Sequence, residues 1–279
     1  MTESGGADDE AYEWLTATEV GGVADRFRVD GDVALVTGAS KGIGRATAFA
    51  LADAGADVVV ASRDEQACRA VVDELEATFD AEGRAVEADV ADPDAVEALV
   101  RTTVDELGGL DVLVNNAGAS FAAPATDISP HGWDRIVDIN LKGTFLTSTA
   151  ALEPLAGGGR IVNFSSIAGQ FGSGLMSHYA AAKAGVETLT RSLAGEWADL
   201  DIRVNCIAPG LVLTPGAAGV MEAGSANAHD RSRVAREVGS AAEIADAVLF
   251  LAGEASSYLS GQTVVIEGPP ALSEGMERP

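Results

Sequence analysis

Short apolar runs rich in branched residues alternate along this chain with longer segments of helical periodicity. Mostly apolar runs of this kind predict strands that are covered on both faces of a sheet. The alternation of strands with helices predicts a parallel sheet. We therefore predict the α/β fold class, with a doubly wound, Rossmann-like sheet of about seven strands in a single domain. The runs are Val33–Val36, Val58–Ala61, Ala85–Ala88, Val112–Val114, Ile161–Phe164, Arg203–Ile207 and Thr263–Ile266.

The first of these runs leads into a glycine-rich loop and then into a helix. The loop reads Thr37-Gly-Ala-Ser-Lys-Gly-Ile-Gly44, and the helical pattern after it ends at Gly55. Glycines at positions 38, 42 and 44 let backbone amides approach a phosphate at the positive end of a helix. The spacing differs from the usual G-x-G-x-x-G fingerprint, and a plain turn is the alternative. The order strand, loop, helix favours a dinucleotide-binding site.

Tyr179 and Lys183 are four residues apart in an alanine-rich segment that reads as a helix. Positions i and i+4 share one face of a helix. An ammonium beside a phenol is expected to lower the phenol's pKa from its free value of about 10. A tyrosine so placed can donate or accept a proton next to a bound substrate. A surface tyrosine and a solvated lysine are the alternative interpretation.

Six segments together resemble the motifs of the short-chain dehydrogenase/reductase family. The glycine loop resembles that family's cofactor loop, and Asn115-Asn-Ala-Gly118 resembles its second marker. Tyr179 and Lys183 resemble its catalytic pair, and Ser166 lies 13 residues before Tyr179, where the family keeps a serine. Asn140 and the segment Pro209-Gly-Leu-Val-Leu-Thr214 match two further motifs. The resemblance runs in order from about Phe27 to Gly268.

The resemblance implies the roles of four catalytic residues. Tyr179 would be the general acid in carbonyl reduction and the base in alcohol oxidation. Ser166 would hydrogen-bond the substrate oxygen, and Lys183 would lower the pKa of the tyrosine and bind the nicotinamide ribose. Asn140 would hold a water that links Lys183 to solvent. A serine packed after a strand and an asparagine at a helix bend are the bland alternatives for Ser166 and Asn140.

The resemblance also implies a cofactor site built from six segments. Asp89 and Val90 would contact adenine, although a strand-end aspartate that makes a turn is the alternative. Asn116 to Gly118 would line the adenine ribose and the nicotinamide side, and the segment from Pro209 would hold the nicotinamide. The expected cofactor-binding residues are Gly38, Ser40, Lys41, Gly42, Ile43, Gly44, Ser62, Arg63, Asp89, Val90, Asn116, Ala117, Gly118, Tyr179, Lys183, Pro209, Gly210, Val212 and Thr214.

The end of the second predicted strand indicates which nicotinamide cofactor is bound. Ser62 stands where NAD-preferring relatives usually have aspartate, and Arg63 follows it. Arginine binds phosphate in a bidentate manner, and Lys41 can add a second positive charge. These residues favour NADP(H), with NAD(H) as the alternative. Asp64 is an argument against this preference, because its carboxylate could neutralise Arg63.

The chain is strongly acidic, with a formal charge of -25 and only three lysines. Such acidity argues against nucleic-acid binding, because phosphate backbones would be repelled. It resembles the composition of proteins from salt-loving cytoplasm, with an acidic mesophilic protein as the alternative. No secretory signal or membrane span is apparent, so we expect a cytoplasmic protein. Two cysteines and three histidines without ligand spacing predict neither a disulfide framework nor a metal site.

Composition divides the chain into an acidic N-terminal extension at 1–30, a catalytic domain at 31–268 and a C-terminal tail at 269–279. The Gly- and Ala-rich segment Pro215–Asp230 predicts a mobile lid, and Glu267-Gly-Pro-Pro270 departs from the family's Asp-Gly-Gly. The resemblance implies a small carbonyl or alcohol substrate: a 3-oxoacyl thioester, a sugar or polyol, or a simple ketone. It also implies a homotetramer or dimer. A non-catalytic dinucleotide-binding sensor or scaffold is the alternative from another class.

Overall fold

The computed structural model describes residues 22–214 and 238–269 of the 279-residue chain. The predicted lid, most of the acidic extension and nearly all of the C-terminal tail lie outside the described residues. Within the predicted extension, Val29 is buried and Phe27 packs against Phe250, with ring centroids 6.2 Å apart. The contacts of the domain therefore begin before residue 31.

Seven parallel strands form one sheet, which confirms the predicted fold class. The strands are β1 Val33–Thr37, β2 Asp57–Ser62, β3 Gly83–Glu87, β4 Val112–Asn115, β5 Arg160–Phe164, β6 Arg203–Pro209 and β9 Thr263–Ile266, and a separate pair contains β7 Val212–Leu213 and β8 Gly239–Ser240. Their order in the large sheet is β3-β2-β1-β4-β5-β6-β9. The predicted strands all occur, and most of their ends differ by one or two residues. The third strand begins two residues earlier than predicted, because Gly83 and Arg84, although neither of them is strongly apolar, pair with Val58 and Val59 of β2.

Helices cover both faces of this sheet. The helices are α1 Gly42–Asp53, α2 Glu65–Thr78, α3 Pro93–Leu107, α4 Pro130–Val137, α5 Gly143–Ala150, α6 Leu152–Leu155, α7 Ile167–Phe171, α8 Ser177–Glu196 and α9 Ala241–Ala252. One layer packs α1 against α9 over the strands near Val36 and Val60, and the other includes α3, α5 and α8. A π-helical turn, Asp138–Lys142, joins α4 to α5.

The strand order reverses between β1 and β4, and this reversal positions the site. From β1 the chain moves outward to β2 and β3, and it then returns to β4 on the other side of β1. The loops after β1 and β4 therefore diverge and leave a crevice at the carboxyl edge of the sheet. Ligands of open α/β sheets bind at such switch points.

The stripe of apolar residues on α8 lies mainly in the core. Val186, Leu193 and Trp197 are buried, and Leu189 is only partly exposed. Most of the stripe is used inside the protomer, because α8 packs against β5 and β6.

Candidate active site

The glycine loop packs tightly against the loop that follows β4. A Cβ at Gly44 would collide with Asn116 Nδ2 and Gly38 O, and one at Gly38 would lie 2.8 Å from Ala117 Cα. Asn116 Nδ2 donates to Thr37 O at 2.8 Å and to Gly38 O at 3.1 Å. Gly38 and Gly42 also have positive φ angles of 65° and 59°. Glycine is thus required at these positions for close approach and for backbone conformation.

A cavity of about 400 Å³ opens between these two loops and the end of β2. Its volume lies within the range of small-molecule sites. The amino end of the twelve-residue helix α1 faces it, and Ser40 to Ile43 line it. These features fit a dinucleotide phosphate. The predicted residues that line the cavity are Gly38, Ser40, Lys41, Gly42, Ile43, Ser62, Arg63, Asp89, Val90, Asn116, Ala117, Gly118 and Thr214.

The remaining predicted cofactor residues do not line this cavity. Gly44 lies behind the loop, and Tyr179 and Lys183 lie on α8. Pro209 and Val212 are buried, and Gly210 contacts the side chain of Glu267, whose Cγ would lie 2.9 Å from a Cβ there. Glu267 is the residue at which the chain departs from the family's C-terminal motif. The departure therefore places a larger side chain against Gly210.

Arg63 and Lys41 supply positive charge at one end of the cavity. Both side chains are exposed, and neither forms an ion pair within 4 Å in the part of the chain that the structure describes. The carboxylate of Asp64 caps α2, where Oδ1 accepts a hydrogen bond from Ala67 N at 3.0 Å. Asp64 therefore does not pair with Arg63, contrary to the concern raised by its position in the sequence.

Ser166 and Tyr179 come together at the carboxyl end of β5. Ser166 begins α7 as its N-cap residue, and its Oγ accepts a hydrogen bond from Ala168 N at 3.2 Å. Tyr179 lies in the first turn of α8, with its side chain near that of Ser166. Burial raises the pKa of Tyr179 above its ordinary value, and the neighbouring hydroxyl of Ser166 opposes this only in part.

Lys183 lies one turn further along α8 and is only 4% exposed. Its Nζ donates to Phe164 O at 2.7 Å and lies 5.7 Å from the centre of the Tyr179 ring. Burial lowers the pKa of Lys183 to about 8, although a negative charge on the neighbouring Cys206 would raise it. At the phenol of Tyr179 burial is the largest influence on the pKa, and the ammonium of Lys183 donates to a backbone carbonyl, so the expected lowering of the tyrosine pKa by Lys183 stays a prediction.

Asn140 occupies the π-helical turn between α4 and α5 and is completely buried. Its Nδ2 donates to Ala119 O at 2.7 Å and to Ile136 O at 2.9 Å, and these two bonds fix the orientation of the amide. Its Oδ1 has no hydrogen-bond partner. A Cβ at Gly118 would lie 2.9 Å from this oxygen and 3.7 Å from Lys183 Nζ. The orphaned oxygen therefore faces the space between Gly118 and the lysine.

The structure adds site residues that the motifs alone did not reveal. Thr37 Oγ1 accepts hydrogen bonds from Asn116 N and Ala117 N at 3.1 Å, so it joins β1 to the loop after β4. The position of Thr37 at the start of the glycine loop is the feature of the sequence that could have indicated this role. The cavity is also lined by Ala61, Asp64, Ala67, Ala88, Ala119 and Ile139. Apart from Asp64, these are apolar residues, which carry no local signal of function.

Among residues 22–214 and 238–269, no group of three or more His, Cys, Asp or Glu side chains is placed to hold a metal ion. In the same ranges, no helix is both long enough and apolar enough to cross a membrane.

Comparison with known proteins identifies the class to which this fold and site belong. A family model described as enoyl-(acyl carrier protein) reductase matches residues 38–268. Cis-4-hydroxycyclohexanecarboxylate dehydrogenase of Sinomonas cyclohexanicum is 43% identical over 85% of this chain and 95% of its own length. The 3-oxoacyl-(acyl-carrier-protein) reductase FabG of Thermotoga maritima is 36% identical over 87% of this chain and 98% of its own. The crystal structure of a short-chain type dehydrogenase/reductase from Mycobacterium marinum, 36% identical, covers 88% of this chain and 98% of its own with a TM-score of 0.81.

The chain belongs to the short-chain dehydrogenase/reductase family. It is an oxidoreductase of the ketone-reductase or alcohol-dehydrogenase type.

Proposed function

We propose that this protein transfers a hydride between NADP(H) and a carbonyl or secondary alcohol, with Tyr179 as the acid or base. The observation that carries the proposal is the juxtaposition of Ser166 and Tyr179 near a glycine-loop cavity. The bound cofactor would supply or accept the hydride. In reduction, negative charge builds on the substrate oxygen, and a positioned proton donor is needed to meet it.

Ser166 and Tyr179 would divide this task between them. The hydroxyl of Ser166 would donate a hydrogen bond to the substrate oxygen, and Tyr179 would transfer its proton to the same atom. The raised pKa of Tyr179 keeps the phenol protonated at neutral pH, which suits reduction. In alcohol oxidation the phenolate is the base, so the rate should increase with pH.

Lys183 and Asn140 would supply the path by which the tyrosine exchanges its proton with solvent. The orphaned Asn140 Oδ1 can accept a hydrogen bond from a water, and Lys183 Nζ can donate one to the same region beside Gly118. A pKa of about 8 lets Lys183 exchange protons near neutral pH. When a nicotinamide ribose is bound, its hydroxyls could also accept a hydrogen bond from Lys183.

The preference for NADP(H) is proposed from the charge at one end of the cavity. Arg63 and Lys41 line it without ion-pair partners within 4 Å among the described residues, and Asp64 is held in a helix cap. A 2′-phosphate could accept charge-assisted hydrogen bonds from both cations. An NAD-dependent alcohol or sugar dehydrogenase is the runner-up, because NAD could bind weakly in the same cavity without a carboxylate to hold its ribose.

A non-catalytic dinucleotide-binding sensor is the alternative from another class. A protein that had lost catalysis would be expected to lose one of Asn140, Ser166, Tyr179 or Lys183, and all four are present. The relatives act on alicyclic alcohols and on acyl-carrier thioesters according to their names. We therefore propose a small carbonyl or alcohol substrate and leave the choice between these classes to experiment.

Assembly and solution conditions form part of the same proposal. Trp133 on α4 and Phe145 on α5 are large apolar side chains that are 40% and 46% exposed. Apolar exposure of this kind on neighbouring helices supports a homotetramer or dimer. The excess of carboxylates supports adaptation to high salt, where screening removes most of the repulsion.

The test is Tyr179→Phe, assayed by nicotinamide absorbance in molar KCl against cyclic ketones, 3-oxoacyl thioesters and sugars. The variant keeps the ring and removes the proton, so turnover should decrease by at least about a hundredfold. Cofactor binding, measured by titration, should change little. Tyr258→Phe is the matched control, because Tyr258 is fully exposed. Near-normal turnover in Tyr179→Phe would contradict the proposed role.

A further inference from the structure

Asp89, one of the residues that line the cofactor cavity, is held by an arginine from a distant part of the chain. It lies two residues beyond the end of β3. Its Oδ1 accepts a hydrogen bond from Ala91 N at 3.0 Å, and its Oδ2 forms an ion pair with Arg135 Nη2 at 3.0 Å. Arg135 belongs to α4, the helix that leads directly into the π-helical turn.

A second arginine also acts on this carboxylate. Arg63 and Asp89 both line the cavity, and the positive charge of Arg63 acts on Asp89. Burial would raise the pKa of Asp89, but the hydrogen bonds from Ala91 and Arg135 and the charges of both arginines lower it overall. The carboxylate of Asp89 is therefore acted on by two cations, and Arg135 is the one that pairs with it.

This arrangement affects the charge that is available for a ligand. An exposed arginine is free to turn toward the nearest uncompensated carboxylate. With Arg135 in place, Asp89 already has its partner, and Arg63 extends into the cavity unpaired. Without Arg135, Arg63 would be the cation left to pair with Asp89, and its guanidinium would then be a weaker phosphate ligand.

We infer that Arg135 is a specificity-determining positioning residue, which pairs with Asp89 and so leaves Arg63 available for the 2′-phosphate of NADP(H). The inference rests on the proposed preference for NADP(H). Arg135 itself would not contact the cofactor, because it acts through Asp89. Its consequence is a change in the ratio of NADPH to NADH affinity, and not a general loss of binding.

The experiment measures dissociation constants of NADPH and NADH by calorimetric titration without substrate, at one fixed KCl concentration. Arg135→Gln should weaken NADPH by about tenfold, the scale of one charge-assisted hydrogen bond, and NADH by less than about twofold. Arg135→Lys keeps the charge and should retain most of the ratio. Arg101→Gln removes one exposed arginine outside the site and controls for the loss of a single positive charge.

A second substitution separates this mechanism from a structural one. In Arg135→Gln/Asp89→Asn the carboxylate that would attract Arg63 is gone, so the NADPH to NADH ratio should return to that of Asp89→Asn alone. Equal weakening of both cofactors by Arg135→Gln would overturn the inference and indicate that Arg135 only supports α4 and Asn140. A ratio that stays low in the double variant would also overturn it.

One further variant separates failure of the inference from failure of the proposed function. Arg63→Ala should lower the NADPH to NADH ratio at least as much as Arg135→Gln does. If Arg63→Ala leaves the ratio unchanged, the proposed NADP(H) preference is wrong and the inference falls with it. If Arg63→Ala lowers the ratio and Arg135→Gln does not, only the role of Arg135 is wrong.

Discussion

Lys183 carries a positive charge that the fold buries at a measurable cost, and Lys183→Met should reveal it. The ammonium is 4% exposed, and burial lowers its pKa from 10.5 to about 8. A shift of about 2.5 units corresponds to roughly 3 kcal/mol of lost stability at pH 7, at about 1.4 kcal/mol per unit. Loss of the hydrogen bond to Phe164 O should cost the variant about 0.5–1.5 kcal/mol and so offset part of its gain in stability. We therefore expect the variant to be more stable than the wild type by about 1–3 kcal/mol at pH 7, while activity is lost.

The pH dependence of this difference gives the sharper test. Between about pH 8 and pH 10.5 the unfolded lysine keeps its proton and the folded one releases it. Stability of the wild type relative to the variant should therefore increase with pH through this window. The loss of stability caused by the buried ammonium is fully present below pH 8 and absent above pH 10.5. Tyr179 and Cys206 also have raised pKa values. Tyr179 is present in both proteins, and the pKa of Cys206 is raised to about 12, above this window.

The assay is urea unfolding in molar KCl, followed by tryptophan fluorescence at a fixed protomer concentration, because subunit association shifts apparent stability. Lys142→Met is the control. Lys142 has a side chain that is 47% exposed and lies 3.9 Å from Asp138, so its replacement should change stability little at any pH. A Lys183→Met variant that is less stable at pH 7, or whose advantage does not vary with pH, would refute the account of an uncompensated buried ammonium.

Three other outcomes are expected. Gly118→Ala should reduce turnover by about tenfold or more, because its methyl group would lie 2.9 Å from Asn140 Oδ1. Gly109→Ala, which has open space around it, should leave turnover unchanged. Equal turnover in both variants would argue against a water at that oxygen. Light scattering in molar salt should give a tetramer or dimer, and a monomer alone would remove the proposed assembly. The melting temperature should increase from about 0.01 to 1 M KCl as the Debye length contracts from about 30 to 3 Å; an unchanged value would leave the acidity unexplained.

The overall architecture could be predicted from local sequence because its signals are local. A buried parallel strand needs an apolar run, and the last strand, Thr263–Ile266, occurs with the predicted bounds. The glycine loop and the spacing of Tyr179 and Lys183 are likewise short-range patterns. The third strand was displaced in the prediction because it lies at the edge of the sheet, where pairing with β2 replaces apolar character as the determinant.

The sequence by itself also determined which residue types could carry the chemistry, but their electrostatic state depends on surroundings contributed by distant segments. The pKa of Tyr179 is raised by burial that no i,i+4 pattern encodes. Asn140 has an orphaned oxygen because a π-helical turn directs its amide to two particular carbonyls. Asp89 meets Arg135 across 46 residues, and Asp64 is removed from the reach of Arg63 by a helix cap. Desolvation and long-range pairing are properties of the packed chain, and only the tertiary structure could decide them.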